Sequence, residues 1–216
     1  MPDIALILLA AGASARLGRP KQLLAYRGRS LLRHAAEAAV ESVCRPVLVV
    51  LGAEAERMRP ELDGLPVQIF ENVDWAQGMA SSLCAGLRAV PEDAEGAVVI
   101  LCDQPLLTGD VIDALVTACG ESRAPVAASE YGGTLGVPAL FGRALFPELA
   151  ALTGAEGAKQ VILRHAADAA RVPFPGGLVD IDTPDDLANL TPRPTPSGSF
   201  LATSPCQGDE GGEQGG

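Results

Sequence analysis

Histidine and tryptophan are nearly absent: the 216 residues hold two of the first and one of the second, and aromatic side chains make up 4%. His34 and His165 both fall in predicted helices and read as surface or partly buried residues, so no His-centred mechanism is expected. Neither G-x-x-x-x-G-K-[ST] nor G-x-G-x-x-G occurs, which excludes the P-loop and the dinucleotide-binding fingerprint. No C-x-x-C pair is present. The five cysteines (Cys44, Cys84, Cys102, Cys119 and Cys206) are odd in number and scattered, as expected of reduced cytosolic thiols rather than disulfides or a zinc site. Cys102 reads as a small buried hydrophobe, not as a nucleophile. No apolar stretch approaches the roughly 20 residues that span a membrane. The N-terminal apolar run lacks a basic leader and reads as a first strand rather than a signal peptide. A cytoplasmic protein is the expectation. Basic residues are outnumbered 16 to 27, giving a formal net charge of −11 and arguing against nucleic-acid or anionic-membrane partners.

What is present is an alternation of strand and helix patterns with no internal repeats. The length suits one α/β domain, and 48% hydrophobic residues are ample for a core. IALILLA (4–10), PVLVVL (46–51) and GAVVILC (96–102) are continuous apolar runs of the kind buried on both faces of a sheet, and PVQIF (66–70) is a further strand. PVAASEY (125–131) and VPALF (137–141) read as later strands and VDI (179–181) as a short one. Helices are expected from a Ser30 cap through Glu41, over about 53–62, over 77–90, and from a cap near Thr108. Two helical segments broken near Gly154 and Gly157 should occupy about 142–167. Thr183-Pro184-Asp185-Asp186 carries a cap, a proline at the first helical position and carboxylates in the first turn of a last helix. The pattern predicts a single-domain α/β fold over 1–190: a mostly parallel twisted sheet with helices on both faces. From Thr191 the chain is Pro-, Ser- and Gly-rich, so 191–216 reads as a disordered low-complexity tail. It holds Arg193 against Asp209, Glu210 and Glu213, so most of the acidity belongs to the domain.

Residues 9–24, LAAGASARLGRPKQLL, follow the first strand directly. Small residues at Gly12, Ala13 and Ser14 leave backbone N–H groups open to wrap a polyphosphate, Arg16 offers a planar fork and Lys21 a compact charge. The plainer reading is an ordinary strand-to-helix turn that is basic. Asp103 ends the central strand in LCDQPLLT, and Asp182 ends VDI. Two carboxylates from separate strands can hold Mg²⁺ against nucleotide phosphates, although each also suits a turn or helix cap. In ENVDWAQGMASSL (71–83), Gly78 opens a turn into a helix, and Ser81 and Ser82 present hydroxyls for a base or ribose. Trp75 reads as a packing residue. In such sheets ligands sit beyond the carboxyl ends of the strands, where residues 11–21, 103–105 and 182 all fall.

LAAGASARLGRPKQLL, ENVDWAQGMASSL, LCDQPLL, GVPALFGRALFPELAALTG and DIDTPDDL occur in the order found in molybdenum cofactor cytidylyltransferases, and the chain resembles that family over roughly residues 4–190. The resemblance implies a Rossmann-like nucleotidyltransferase fold and transfer of CMP from CTP to the phosphate of molybdenum-bound molybdopterin, with Mg²⁺ as cofactor and a molybdenum-hydroxylase apoenzyme as a partner. It implies that Arg16, Lys21 and Asp103 are catalytic, that Asp103 and Asp182 hold the metal, and that Leu9, Ala10, Ala11, Gly12, Ser14, Gly78, Ser81 and Ser82 bind the nucleotide. Ala10-Ala11-Gly12 looks like the cytidylyl version of the loop, since guanylyl relatives tend to have glycine at position 11. GAEGAK (154–159) departs from the family's Gly-Asp-x-Gly-Ala-Arg, with Ala155 for Asp and Lys159 for Arg, in a region that should face the acceptor. Two alternatives stand beside this reading: a same-fold enzyme acting on a sugar or polyol phosphate, and a non-catalytic chaperone that delivers the cofactor.

Overall fold

Runs of leucine, isoleucine and valine without a polar break can be strands only where both faces are covered, and the chain builds its core on three of them. A computed structural model describes residues 3–14 and 18–179. In chain order the elements are β1 (Ile4–Leu9), a small hairpin of β2 (Ala25–Tyr26) and β3 (Arg29–Ser30), α1 (Leu31–Glu41), β4 (Val47–Leu51), α2 (Ala55–Met58), β5 (Gln68–Glu71), α3 (Met79–Ala89), β6 (Gly96–Leu101), α4 (Gly109–Ser122), β7 (Val126–Tyr131), β8 (Thr134–Gly142), α5 (Phe146–Ala150), α6 (Lys159–Arg164) and β9 (Ala170–Pro173). Seven strands form one sheet in the order β5-β4-β1-β6-β8-β7-β9. The ladders β5/β4, β4/β1, β1/β6 and β7/β9 are parallel, and β8 runs antiparallel to both β6 and β7. The α/β fold with a mostly parallel sheet is the expected one.

Alternation along β1 divides the core in two. Ile4, Leu6 and Leu8 pack with Leu32 and Ala36 of α1 and Ile112 and Leu115 of α4 on one face. Ala5, Ile7 and Leu9 pack with Leu83 of α3, Leu149 of α5 and Val161 and Ile162 of α6 on the other. Helices therefore cover both faces. Ser30 caps α1 as expected, its Oγ accepting from the Arg33 N–H at 3.1 Å. Thr108 stands at the start of α4 with extended backbone but without a capping side-chain bond.

The structure departs from the sequence reading in four places. The helix expected over 53–62 is α helical only to Met58 and then tightens into a 3-10 turn, because Pro60 supplies no N–H for an α ladder. The two later strands are a hairpin turned by Gly132 and Gly133, both at positive φ, which sends β8 back antiparallel. β9 and the β2–β3 hairpin are additional. The strand expected at 179–181 beyond its first residue, the helix from Thr183, Arg16, Asp182 and the tail lie outside the described residues. Among the described residues, no helix is long and apolar enough to cross a membrane.

Candidate active site

At the carboxyl ends of β1 and β6 the chain leaves a cavity of about 410 Å³. Its walls include Leu9–Ser14 at and after the end of β1, Lys21 and Gln22, Trp75–Ala76 and Gly78–Met79, Ser82 of α3, and Leu101–Asp103 at the end of β6. Of the residues singled out in the sequence, Leu9, Ala10, Ala11, Gly12, Ser14, Lys21, Gly78, Ser82 and Asp103 meet here.

The loop after β1 is held by one side chain that the sequence reading passed over. Gln22 is buried, and its Nε2 donates to the carbonyls of Ala10 (2.9 Å) and Gly12 (2.7 Å). The Ser14 hydroxyl donates to Gln22 Oε1 at 3.3 Å and accepts from the Lys21 N–H at 3.0 Å. The N–H and C=O of a planar trans peptide point in opposite directions, so turning the Gly12 carbonyl onto Gln22 turns the Ala13 N–H away from it. Among the described residues nothing accepts from the N–H groups of Gly12, Ala13 or Ser14. The loop therefore presents unused donors beside Lys21, the arrangement an anionic ligand needs.

Asp103 faces that loop. Its Oδ2 accepts from Lys21 Nζ in an ion pair, while Oδ1 is buried and has no hydrogen-bond partner among the described residues. A buried carboxylate oxygen without a partner costs stability, and it is a hard-oxygen ligand with a vacant lone pair. The geometry at Asp103 thus fits a divalent cation. Among the described residues no three His, Cys, Asp or Glu side chains cluster as a metal site, so Asp103 and ligand phosphates would be the donors within view. Burial, and secondarily the neighbouring Asp103 charge, pushes the Cys102 thiol up to about 12. A shift in that direction favours the protonated thiol, the poorer nucleophile.

The opposite wall is shaped by glycines. Gly78, at φ 109°, separates a 3-10 turn over Trp75–Gln77 from α3. A Cβ there would come within 2.2 Å of the Gly154 carbonyl oxygen, which accepts from the Ala80 N–H at 3.2 Å. The 154–157 loop thereby closes the first turn of α3. Gly52 lets β4 approach: a Cβ there would stand 2.7 Å from Trp75 Cβ and 2.8 Å from Ala11 Cβ. Trp75 both packs on the core, as read, and lines the cavity. Ser81 requires a correction. Ser82 lines the large cavity and Ser81 does not, although both hydroxyls lie within reach of Asn72 Nδ2. Ser81 lines a second hollow of about 280 Å³ with Asp74, Arg88 and Thr153, and its hydroxyl is directed to the carbonyls of Gly78 and Asp74.

Residues 6–169 match the model of the MobA-like NTP transferase domain. The chain belongs to that family. Among curated relatives, it is 36% identical over 173 residues to a nicotine blue oxidoreductase of Paenarthrobacter nicotinovorans, covering 76% of this chain and 83% of the relative. It is 32% identical over 193 residues to the purine catabolism protein PucB of Bacillus subtilis, covering 83% and 92%. The crystal structure of Rv0371c from Mycobacterium tuberculosis superposes with a TM-score of 0.75 at 31% identity, over 88% of this chain and 97% of that one, and a manganese complex of that protein superposes with a TM-score of 0.70 at 29% identity, over 87% and 97%. Membership in the MobA-like NTP transferase family supports an enzyme of the nucleotidyltransferase class with a nucleoside triphosphate substrate.

Because the Gln22 amide holds two carbonyls of the loop after β1, Gln22→Glu should be costly. The carboxylate keeps the shape but turns an acceptor toward two carbonyls. We expect a loss of about 2–3 kcal/mol of stability and at least a tenfold weaker nucleotide affinity, read by thermal melting and calorimetry. Wild-type values for both would show that the loop holds itself.

Proposed function

We propose that the protein transfers CMP from CTP to the phosphate of molybdenum-bound molybdopterin, giving molybdopterin cytosine dinucleotide and pyrophosphate. One observation carries the reading: the open N–H loop, Lys21 and the half-unpartnered carboxylate of Asp103 converge on one cavity beside an uncharged wall suited to a nucleoside. An acceptor phosphate oxygen attacks the α-phosphorus in line, the Pα–O bond to the β-phosphate breaks, and pyrophosphate leaves. The attacking oxygen is already anionic near neutral pH, so positioning and charge neutralisation suffice and no strong base is needed.

Lys21 and Arg16 neutralise the departing pyrophosphate, and the loop N–H groups orient the triphosphate. Asp103 and Asp182 would hold Mg²⁺, which when bound supplies Lewis-acid neutralisation of the phosphates. The manganese complex of the 29%-identical M. tuberculosis protein supports a divalent cation. Lys21 pairs with Asp103, so its charge must be shared with, or pass to, the phosphates of a bound nucleotide. The Ala10-Ala11-Gly12 loop supports CTP as donor: the Ala11 methyl stands against Gly52 beside Trp75, where glycine would leave more room. Cytoplasmic location and a molybdenum-hydroxylase apoenzyme as recipient belong to the same reading.

The test is pyrophosphate release from each of the four NTPs, with and without Mo-molybdopterin. Release with CTP only when the acceptor is present supports the assignment. Release with GTP, or with a sugar phosphate in place of the pterin, replaces it. The relative from P. nicotinovorans bears the name of a nicotine blue oxidoreductase, so an assay for turnover of nicotine blue belongs in the same set.

A further inference from the structure

Asn72 sits just past β5 and is buried. Its Oδ1 accepts from the Asp74 N–H at 3.1 Å. A backbone N–H can only donate, so this bond fixes which end of the amide is which. Nδ2 then faces α3, and its two hydrogens go to Ser81 Oγ at 2.9 Å and Ser82 Oγ at 3.0 Å. Both hydroxyls are thereby acceptors toward Asn72, and each must place its own proton elsewhere. Ser81 gives its proton to a backbone carbonyl, at 2.8 Å from Gly78 O or 3.0 Å from Asp74 O. Ser82 is different. It lines the large cavity, and among the described residues nothing accepts from its hydroxyl. The segment from Trp75 to Ser82 contributes no charge to the cavity wall, whereas Lys21 and Asp103 lie with the phosphate loop.

We propose that Asn72 is a specificity-setting positioning residue: it fixes Ser82 as a hydrogen-bond donor into the nucleotide cavity, so this wall selects a base that presents an acceptor lone pair. The inference rests on the nucleotide reading above. Where cytosine carries the acceptors O2 and N3, guanine's Watson–Crick edge carries its amino group and N1–H, both donors, and guanine's O6 acceptor falls where cytosine has its amino group. A site built to donate a hydrogen bond rejects a ligand that leaves the donor facing another donor. Neither Asn72 nor its amide touches the cavity, so its effect must pass through the serine.

Asn72→Asp reverses the polarity. The carboxylate still takes the Asp74 N–H, but it now accepts from Ser82, whose lone pairs then face the ligand. Dissociation constants for CTP and GTP, without acceptor, are measured by calorimetry on wild type, Asn72→Asp, Ser82→Ala and the double variant. We expect the CTP:GTP affinity ratio to fall about tenfold or more in Asn72→Asp and by several-fold in Ser82→Ala. In the Ser82→Ala background, adding Asn72→Asp should leave the ratio unchanged, because only the general repulsion of a new negative charge remains and it acts on both triphosphates alike. Equal weakening of both nucleotides in Asn72→Asp, or the same change of ratio with alanine at position 82, overturns the proposal. If Asn72→Asp does not fold, Ser82→Ala decides alone: unchanged CTP affinity refutes the donor role. A wild-type protein that binds neither nucleotide fails the underlying nucleotide reading instead, and the proposal falls with it.

Discussion

Asp103→Asn is expected to lower kcat/KM by about 10²–10³-fold while leaving the fold intact. Loss of one preorganised electrostatic group at a transferring phosphoryl costs about 3–4 kcal/mol in the transition state. The asparagine amide keeps the shape and can still accept from Lys21 through its oxygen, but it carries no charge to hold a cation. The rate loss should be matched by a readout independent of turnover: Mn²⁺ binding followed by electron paramagnetic resonance should weaken at least tenfold. The ion pair with Lys21 is part-buried, at 21% and 13% side-chain exposure, so some loss of stability will accompany the change. Wild-type rates with wild-type Mn²⁺ affinity would remove Asp103 from the chemistry. Lost rates with retained Mn²⁺ affinity would move its role from the metal to Lys21.

The second large effect is on the fold. Gly78→Ala should destabilise by about 3 kcal/mol, from left-handed strain and a backbone clash together, and lower Tm by roughly 6–12 °C for a chain of this size. The atoms in the way are the Gly154 carbonyl oxygen and carbon, at 2.2 and 2.5 Å from the added Cβ, and neither can swing aside as a side chain would. Relief would require pushing the 154–157 loop from the start of α3, which unseats Ala80 N–H and the Trp75–Met79 wall together. Gly120→Ala is the control. Nothing lies within 4 Å of its added Cβ and it sits inside α4, so alanine there should raise stability by about 0.5–1 kcal/mol. Thermal melts that rank the two substitutions the other way would show that the loop yields.

What was legible beforehand follows from where the information lies. β1, β4 and β6 announce themselves because a strand buried on both faces must be apolar at every position, and α1 does so through Ser30. The direction of β8 is not encoded in VPALF, since an apolar run looks the same whichever way it pairs. The Gly132-Gly133 turn was the available signal. β9 is short, carries Arg171 and Pro173, and is a strand only because β7 leaves an edge for it. In the candidate site, the loop and Asp103 could be singled out because small, basic and acidic residues at strand ends are legible as such, and the structure brings them to one cavity. Gln22 and Asn72 were not, because a buried amide declares its role only through the carbonyls and hydroxyls that the fold brings to it. Gln22 did stand out as a polar residue among apolar ones in PKQLL, a signal that could have been used. Ser81 was expected beside Ser82 in the cavity, but its hydroxyl is taken up by the carbonyls of Gly78 and Asp74, which the sequence alone does not reveal.

Transfer of a nucleotidyl group in the cavity at the ends of β1 and β6 is open to one direct measurement. The protein is incubated with CTP labelled at the α-phosphate, a divalent cation and Mo-molybdopterin, and the label is followed. Label should appear in a dinucleotide containing the pterin, in step with pyrophosphate, with the wild-type protein and at least a hundredfold more slowly with Asp103→Asn. Label that stays in CTP with every phosphate acceptor offered, or transfer that Asp103→Asn sustains at the wild-type rate, would contradict the assignment.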